Sequence, residues 1–215
     1  MWQTGTDVIF LLVYVDDLLI TGSSNSALTQ LISQLSSTFA LRDLREAHYF
    51  LGLELHRSSD GVHLSQRKYI HDLLFKTKMH EAKPIHTPMA ASTRLDVAHG
   101  SPLPDAIEYC IKRILRYLKS TIDHVITFRT SPELALEAFS DADWASCPVD
   151  RLSQGGFCVY LGRNLISWSS RKQSTISRSS IESEYHTLAS TAAEILWLQM
   201  LLTELGLKLP HPPVI

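Results

Sequence analysis

Val13–Tyr14–Val15–Asp16–Asp17–Leu18–Leu19–Ile20 places two adjacent carboxylates inside an apolar, β-branched run that starts at Val8. Such runs read as strands, so residues 8–15 and Leu18–Thr21 are predicted as two strands joined by a tight turn. A hairpin tip presenting two acids between apolar flanks is suited to divalent metal. A metal pair clamps the attacking and leaving oxygens of an in-line phosphoryl displacement. Magnesium takes hard oxygen ligands and leaves room for water and phosphate. Asp in a turn also has a plainer use, bonding its own backbone. An isolated Asp-Asp turn is more often a solvated tip than a metal site.

Outward from this hairpin, Asn25 or Ser26 is positioned to cap a helix reaching about Phe39, with Leu28, Leu31, Ile32, Leu35 and Phe39 on one face. His48–His56 alternates loosely, Ser58–Gly61 is a turn signal, and Val62–Ser65 returns as a second arm. Gln66–Lys78 reads as an amphipathic helix with Tyr69, Ile70, Leu73, Leu74 and Met79 inward. Between Lys83 and Pro104 four prolines interrupt a stretch of little periodicity, a linker candidate. A helix from about Asp105 to Lys119 follows. It brings Arg113, Arg116 and Lys119 or Ser120 within reach of one face, either a solvated basic face or a phosphate-contacting stripe.

Four short strands are predicted next: Val125–Phe128, Leu134–Ser140, Gly156–Leu161 and Asn164–Ser169. Ser179 and Glu182 form a capping-box pattern that opens a long helix. Its apolar stripe is Ile181, Tyr185, Leu188, Ala192, Ile195, Leu196 and Leu202, and Gly206 ends it. A second carboxylate group sits here. Phe139–Ser140–Asp141–Ala142–Asp143 ends a strand, and Glu182 and Glu184 lie in the first turns of the helix. A strand Asp facing a helix Glu brings carboxylates together on metal. Glu182 is equally a cap residue, and acids early in a helix are favoured by its dipole.

The 215 residues are 45% hydrophobic and 20% charged, as in a globular protein. The longest apolar run, Val8–Val15, is far too short for a membrane span, and the first residues lack the basic region of a secretory signal. The net charge of −2 gives no bulk electrostatic case for nucleic acid, so such binding would rest on local patches. Cys110, Cys147 and Cys158 form no CxxC pair, which suggests reduced thiols and an intracellular setting. The ten histidines are dispersed and suggest no zinc site.

Tyr-Val-Asp-Asp followed by Leu-Leu-Ile-Thr-Gly-Ser resembles the catalytic hairpin of reverse transcriptases, in the form seen in Ty1/copia-type retrotransposon Pol proteins. Ser-Asp-Ala-Asp-Trp-Ala, Gly-Gly-Phe-Cys-Val-Tyr-Leu-Gly, Ile-Ser-Trp-Ser-Ser-Arg-Lys-Gln and Ser-Ser-Ile-Glu-Ser-Glu-Tyr-His look like the RNase H region of the same Pol. Leu-Gly-Leu-Glu-Leu, Leu-Ser-Gln-Arg-Lys-Tyr-Ile and Lys-Arg-Ile-Leu-Arg-Tyr-Leu-Lys also resemble it, in the family's order and over nearly the whole chain. The resemblance implies an α+β fold: a partial reverse-transcriptase palm followed by an incomplete RNase H-like α/β domain. The divisions it implies are a partial reverse transcriptase over 1–98, a linker and basic connection helix over 99–120, and an RNase H-like part over 121–215. It further implies Asp16 and Asp17 as one metal-binding pair, Asp141 and Glu184 as another, and Mg²⁺ or Mn²⁺ as the ion. Tyr14 would lie near the primer terminus, and the partners would be an RNA or DNA template-primer or an RNA–DNA hybrid.

On the family's pattern a first catalytic Asp lies well upstream of the hairpin. Asp7, one strand-length from the tip, does not replace it. Gly100–Asp105 runs almost directly into Lys112–Leu115, where the family has a sizeable block. The chain stops at His211–Ile215, where the family continues into a strand carrying a third RNase H aspartate. The expectation is a truncated, internally deleted Pol fragment whose two metal sites are each partial and which is inactive alone. Four alternatives stand beside it. The frame continues in the flanking DNA. The chain is a non-catalytic nucleic-acid-binding module using the basic helix with Arg171, Lys172 and Arg178. It is an exapted interaction module pairing through sheet edges. Or it is a product that is rarely made or folds poorly.

Overall fold

The computed structural model describes residues 2–4, 7–88, 106–147 and 149–215. The chain divides into two compact units, Met1–His56 and Arg57–Ile215. The expected linker and the 98/99 boundary fall largely on residues 89–105, outside the described residues. Helices and antiparallel sheets together make a mixed α+β protein, and no described helix is long and apolar enough to cross a membrane.

In the first unit, β1 (Trp2–Thr4), β2 (Asp7–Tyr14) and β3 (Asp17–Gly22) form an antiparallel sheet in that order. The expected hairpin is present. Tyr14 pairs with Asp17, which leaves Val15–Asp16 as a two-residue loop. Gly22 permits close packing, because a Cβ there would lie 2.7 Å from the Val8 carbonyl oxygen and against Leu28. Helix α1 (Asn25–Thr38) is capped by Ser24, one residue earlier than expected; its side chain accepts from the Ala27 N–H. Short β4 (Tyr49–Phe50) turns into β5 (Leu53–Ser58) through Leu51 and Gly52, both at positive φ as a two-residue hairpin loop demands. The interior is thin. Ile9 is the only buried apolar residue among those described, whereas Leu11, Leu12, Val13 and Leu18 are exposed.

The second unit opens with β6 (Gly61–Ser65), which pairs antiparallel with β7 (Val125–Phe128). Between them in sequence, α2 (Arg67–Lys76) packs Ile70 and Leu74 against Leu115 of α3 (Ala106–Ser120). Tyr69, expected inward, is exposed. Strands β8 (Leu136–Asp143), β9 (Gln154–Leu161) and β10 (Asn164–Lys172) form an antiparallel meander, with a bulge between Leu165 and Ser167. Helix α4 (Ser180–Glu204) covers one face, where Leu136, Ala138 and Val159 meet Ile195, Leu198 and Leu202. After α4 the chain returns to β8, and Val214 bridges Glu137 in parallel. The Ala138 N–H donates to the Val214 carbonyl at 2.8 Å, and the Val214 N–H to that of Leu136 at 3.1 Å.

At the start of α4 the Glu182 N–H donates to Ser179 Oγ as a capping box requires, whereas the Glu182 carboxylate accepts from the Arg178 N–H, one residue before the cap. Its expected apolar stripe needs correction. In the first half of the helix the buried positions are Ser183, Thr187 and Thr191, while Ile181 and Tyr185 are 65% and 66% exposed. The reason is close approach. Each of the three hydroxyls bonds a carbonyl one turn back along its own helix, so each is satisfied without a sheet partner. These small side chains let the helix settle on Gly155, where a Cβ would lie 2.4 Å from Thr187 Oγ1. Gln173 locks the arrangement by donating to the Ser183 carbonyl and to Thr187 Oγ1.

Candidate active site: two separate groups of carboxylates

The first group is set by the β2–β3 register. Asp16 occupies the second loop position and Asp17 the first position of β3, both exposed. Val15 before them has φ +50° and is 82% exposed. A β-branched residue in the left-handed region is strained, and such strain collects where a turn must present a side chain. Tyr14 is exposed beside the acids. Neither the Asp16 nor the Asp17 carboxylate has a hydrogen-bond or ion-pair partner among the described residues.

The second group is split by the pleat. On β8, Leu136 and Ala138 point toward α4, so Glu137, Phe139, Asp141 and Asp143 alternate onto the open face. Asp141 lies opposite Gly156 there. Glu184 lies on an exposed part of α4, and no hydrogen bond or ion pair joins it to Asp141 among the described residues. A polar cleft of about 540 Å³ is lined by residues of β9, β10 and α4, and Ser167 donates to Glu194 in its wall at 2.6 Å. Neither Asp141 nor Glu184 lines this cleft.

Among the described residues no three His, Cys, Asp or Glu side chains gather closely enough to hold a metal ion. The described residues by themselves do not gather the ligands of the two-ion site that the resemblance implies.

The basic residues of α3 are engaged within the chain. Arg113 donates to Thr87 Oγ1, Arg116 to the Lys83 carbonyl, and Lys119 to the carbonyls of His80 and Ala82. Ser120 adds a bond to the Ile85 carbonyl. Together they strap residues 80–87 along the helix.

One charged cluster escaped sequence reading because its members are far apart in the chain. Lys172 on β10 donates to Asp150 at 2.7 Å and lies 3.1 Å from Cys147 Sγ. The Lys172 bond, helped by the Cys147 thiol and the Leu152 N–H, lowers the Asp150 carboxyl from 3.8 to about 2. A carboxylate depressed on folding stabilises the fold above its ordinary pKa, and this contribution is lost as pH falls toward 2. Carboxyl-carbon NMR is expected to place the Asp150 midpoint near 2, returning toward 3.8 in Lys172→Ala.

Residues 1–91 match the family described as reverse transcriptase (RNA-dependent DNA polymerase). The chain belongs to the copia-type retrotransposon Pol family. It is 42% identical, over 99% of its length, to the retrovirus-related Pol polyprotein from transposon RE2 of Arabidopsis thaliana, but spans only 17% of that relative. The match runs over 250 positions, more than the chain contains, so the relative has residues with no counterpart here. The corresponding polyprotein from transposon TNT 1-94 of Nicotiana tabacum is 31% identical over 93% of the chain and is covered to 18%. An uncharacterised mitochondrial protein of Arabidopsis thaliana is 40% identical over 87% of the chain, and 93% of it is covered. No solved structure matches.

Proposed function

We propose that this chain carries the metal-binding hairpin of a reverse-transcriptase palm followed by the first part of an RNase H-like domain, and that alone it performs neither reaction. In the first part Asp16 and Asp17 are metal ligands and Tyr14 lies against the primer terminus. The observation that carries this reading is the two-residue loop that holds both carboxylates outward without partners. The RNase H-like reading is supported by the β8–β9–β10 meander, the α4 crossover and the parallel Val214 bridge beside β8. In it Asp141 and Glu184 are the metal-binding pair. Mg²⁺ or Mn²⁺ would be the ion, and a template-primer or RNA–DNA hybrid the partner. Inactivity follows from the ligand count: two carboxylates hold an ion weakly and place it poorly, and misplacement by an ångström costs about a hundredfold in rate. Net charge of −2 and the engagement of Arg113, Arg116 and Lys119 with residues 80–87 disfavour tight binding of nucleic acid through α3.

The test supplies purified protein with a primed RNA template, dNTPs and Mg²⁺ or Mn²⁺, with an RNA–DNA hybrid cleavage assay alongside. Product at the level of the Asp16→Asn/Asp17→Asn and Asp141→Asn variants is expected. Robust metal-dependent synthesis or cleavage that those substitutions abolish would overturn the proposal.

A further inference from the structure

Helix α4 packs on β8 and β9, and the polar cleft lies beside it, along the same face of β10. Register sets the strand side of the cleft. Ser167, Ser169 and Arg171 stand opposite Val159, Phe157 and Gly155, and Val159 packs against α4, so these three side chains take the α4 side. The flank of α4 supplies His186, Ser190 and Glu194, each one turn from the next on a single face. Strand and helix run in opposite directions here: Ser167 bonds Glu194, whereas Gln173, later in the chain, bonds Thr187, earlier in the helix. The order along the cleft is therefore Arg171 and His186 at one end, Ser169 and Ser190 in the middle, Ser167 and Glu194 at the other. Four strand residues span about 13 Å and eight helix residues about 12 Å, so both sides set the ends the same distance apart.

Each position along this line has a distinct chemistry. The Arg171 guanidinium has no hydrogen-bond or ion-pair partner among the described residues. His186 lies 3.9 Å from Glu182, and Lys172 at the same end is held by Asp150. The uncompensated charge is thus that of Arg171, whose planar fork suits phosphate. In the middle, Ser169 Oγ has no partner among the described residues, and Ser190 Oγ donates to the His186 carbonyl, which leaves its lone pairs to accept. At the far end Glu194 accepts from Ser167 through Oε1, and its second oxygen has no partner among the described residues. Cation, hydroxyls and carboxylate in that order complement phosphate, sugar and an amino-bearing base. The volume of about 540 Å³ falls within the range of small-molecule sites. We infer that this cleft binds a nucleoside 5′-monophosphate whose base carries an exocyclic amine, with the phosphate on Arg171, the sugar at Ser169 and Ser190, and the amine on Glu194. A carboxylate accepts from the amine of cytosine and repels the carbonyl oxygen that uracil holds in its place. Asp16, Asp17, Asp141 and Glu184 do not line the cleft, so this inference fails or holds separately from the reading of those carboxylates.

The experiment titrates the full chain with cytidine and uridine 5′-monophosphates by calorimetry at low salt. Saturable binding of the cytidine nucleotide is expected, at least tenfold tighter than that of the uridine nucleotide. Arg171→Ala is expected to weaken it at least tenfold, as for a lost hydrogen bond to a charged group. Glu194→Gln, whose amide both donates and accepts, is expected to bring the two nucleotides within about twofold. Arg163→Ala, outside the cleft, is expected to leave binding unchanged. Circular dichroism checks that each variant is folded, and the ratio of the two nucleotides in the unsubstituted chain needs no variant. A ratio near one overturns the inference. So does binding that survives Arg171→Ala, or that Arg163→Ala weakens as much. A short oligo(C) RNA with a 5′-phosphate separates two sources of the same chemistry: binding tighter than the mononucleotide names a strand end, weaker binding names the free nucleotide, and both uphold the site. Oligo(C) that binds equally well without its 5′-phosphate overturns it in favour of general single-strand contact.

Discussion

Replacing Leu136 by Ala is expected to destabilise the second unit by about 3 kcal/mol, the middle of the range for truncating a buried Leu. Leu136 is 2% exposed and sits where β8, β9 and the second half of α4 meet, against Val159, Leu198 and Leu202. Three things fail together when its side chain is removed. The transferred apolar surface is lost, a cavity opens that the β8–β9 ladder cannot collapse, and the parallel return of Val214 loses its support, because the Val214 N–H donates to the Leu136 carbonyl. Urea unfolding followed by far-UV circular dichroism checks this as a lower midpoint at unchanged slope. A shift below about 1 kcal/mol, the size of a surface substitution, would mean that this cluster is not the core of the unit.

Gly61→Ala is expected to cost a similar amount, about 3 kcal/mol, by a different route. Gly61 has φ +146°, which a side chain rarely adopts, and its missing Cβ would stand 2.0 Å from the Phe128 carbonyl oxygen. Strain at such a backbone costs about 1–3 kcal/mol, and overpacking adds about 1–3 kcal/mol. Backbone cannot rotate aside as a side chain can, so β7 must move. The damage is expected to reach the bonds that hold this turn. Ser58 donates to Asp60, His63 bonds Ser58 and Thr127, and Arg129 reaches Asp60. Asp60 has a lowered carboxyl pKa, mainly through the Ser58 hydroxyl. Hydrogen exchange is expected to rise at Val62–Ser65 and Val125–Phe128 and to stay protected in β8–β10. Uniform loss of protection would instead show that the β6–β7 pair and the β8–β10 sheet unfold as one.

Sequence reading succeeded where the signal is local. The β2–β3 hairpin follows from a β-branched run broken by two acids, and β7, β9 and β10 follow from short apolar runs between turn residues. The Ser179–Glu182 box marks the start of α4 because capping is settled within four residues. It failed on the inward side of the first half of α4, while Ile195 and Leu202 farther along are buried as expected. Ile181, Tyr185 and Leu188 have the periodicity of a buried stripe, yet Ser183, Thr187 and Thr191 face the sheet. Periodicity fixes the angle between positions on a helix but not which side meets a neighbour. That choice depended on Gly155, which admits the helix closely, and on Gln173, which holds it there.

By itself, then, the sequence determined the kind of protein: an ordered series of family strings, an α+β composition and the carboxylates at positions 16, 17, 141 and 184. Those properties reside in short stretches of chain, where turn chemistry, capping and β-branched runs act between near neighbours. Only the tertiary structure decided what each charged group meets. It bound the α3 cations to the carbonyls of residues 80–87, joined Lys172 to Asp150, and turned Asp141 to the face away from α4. Pleat parity and strand register fix those outcomes, and a one-residue slip would reverse every one of the sheet's faces. Register is set by packing between residues distant in sequence, so it is written in the fold and not in any single motif.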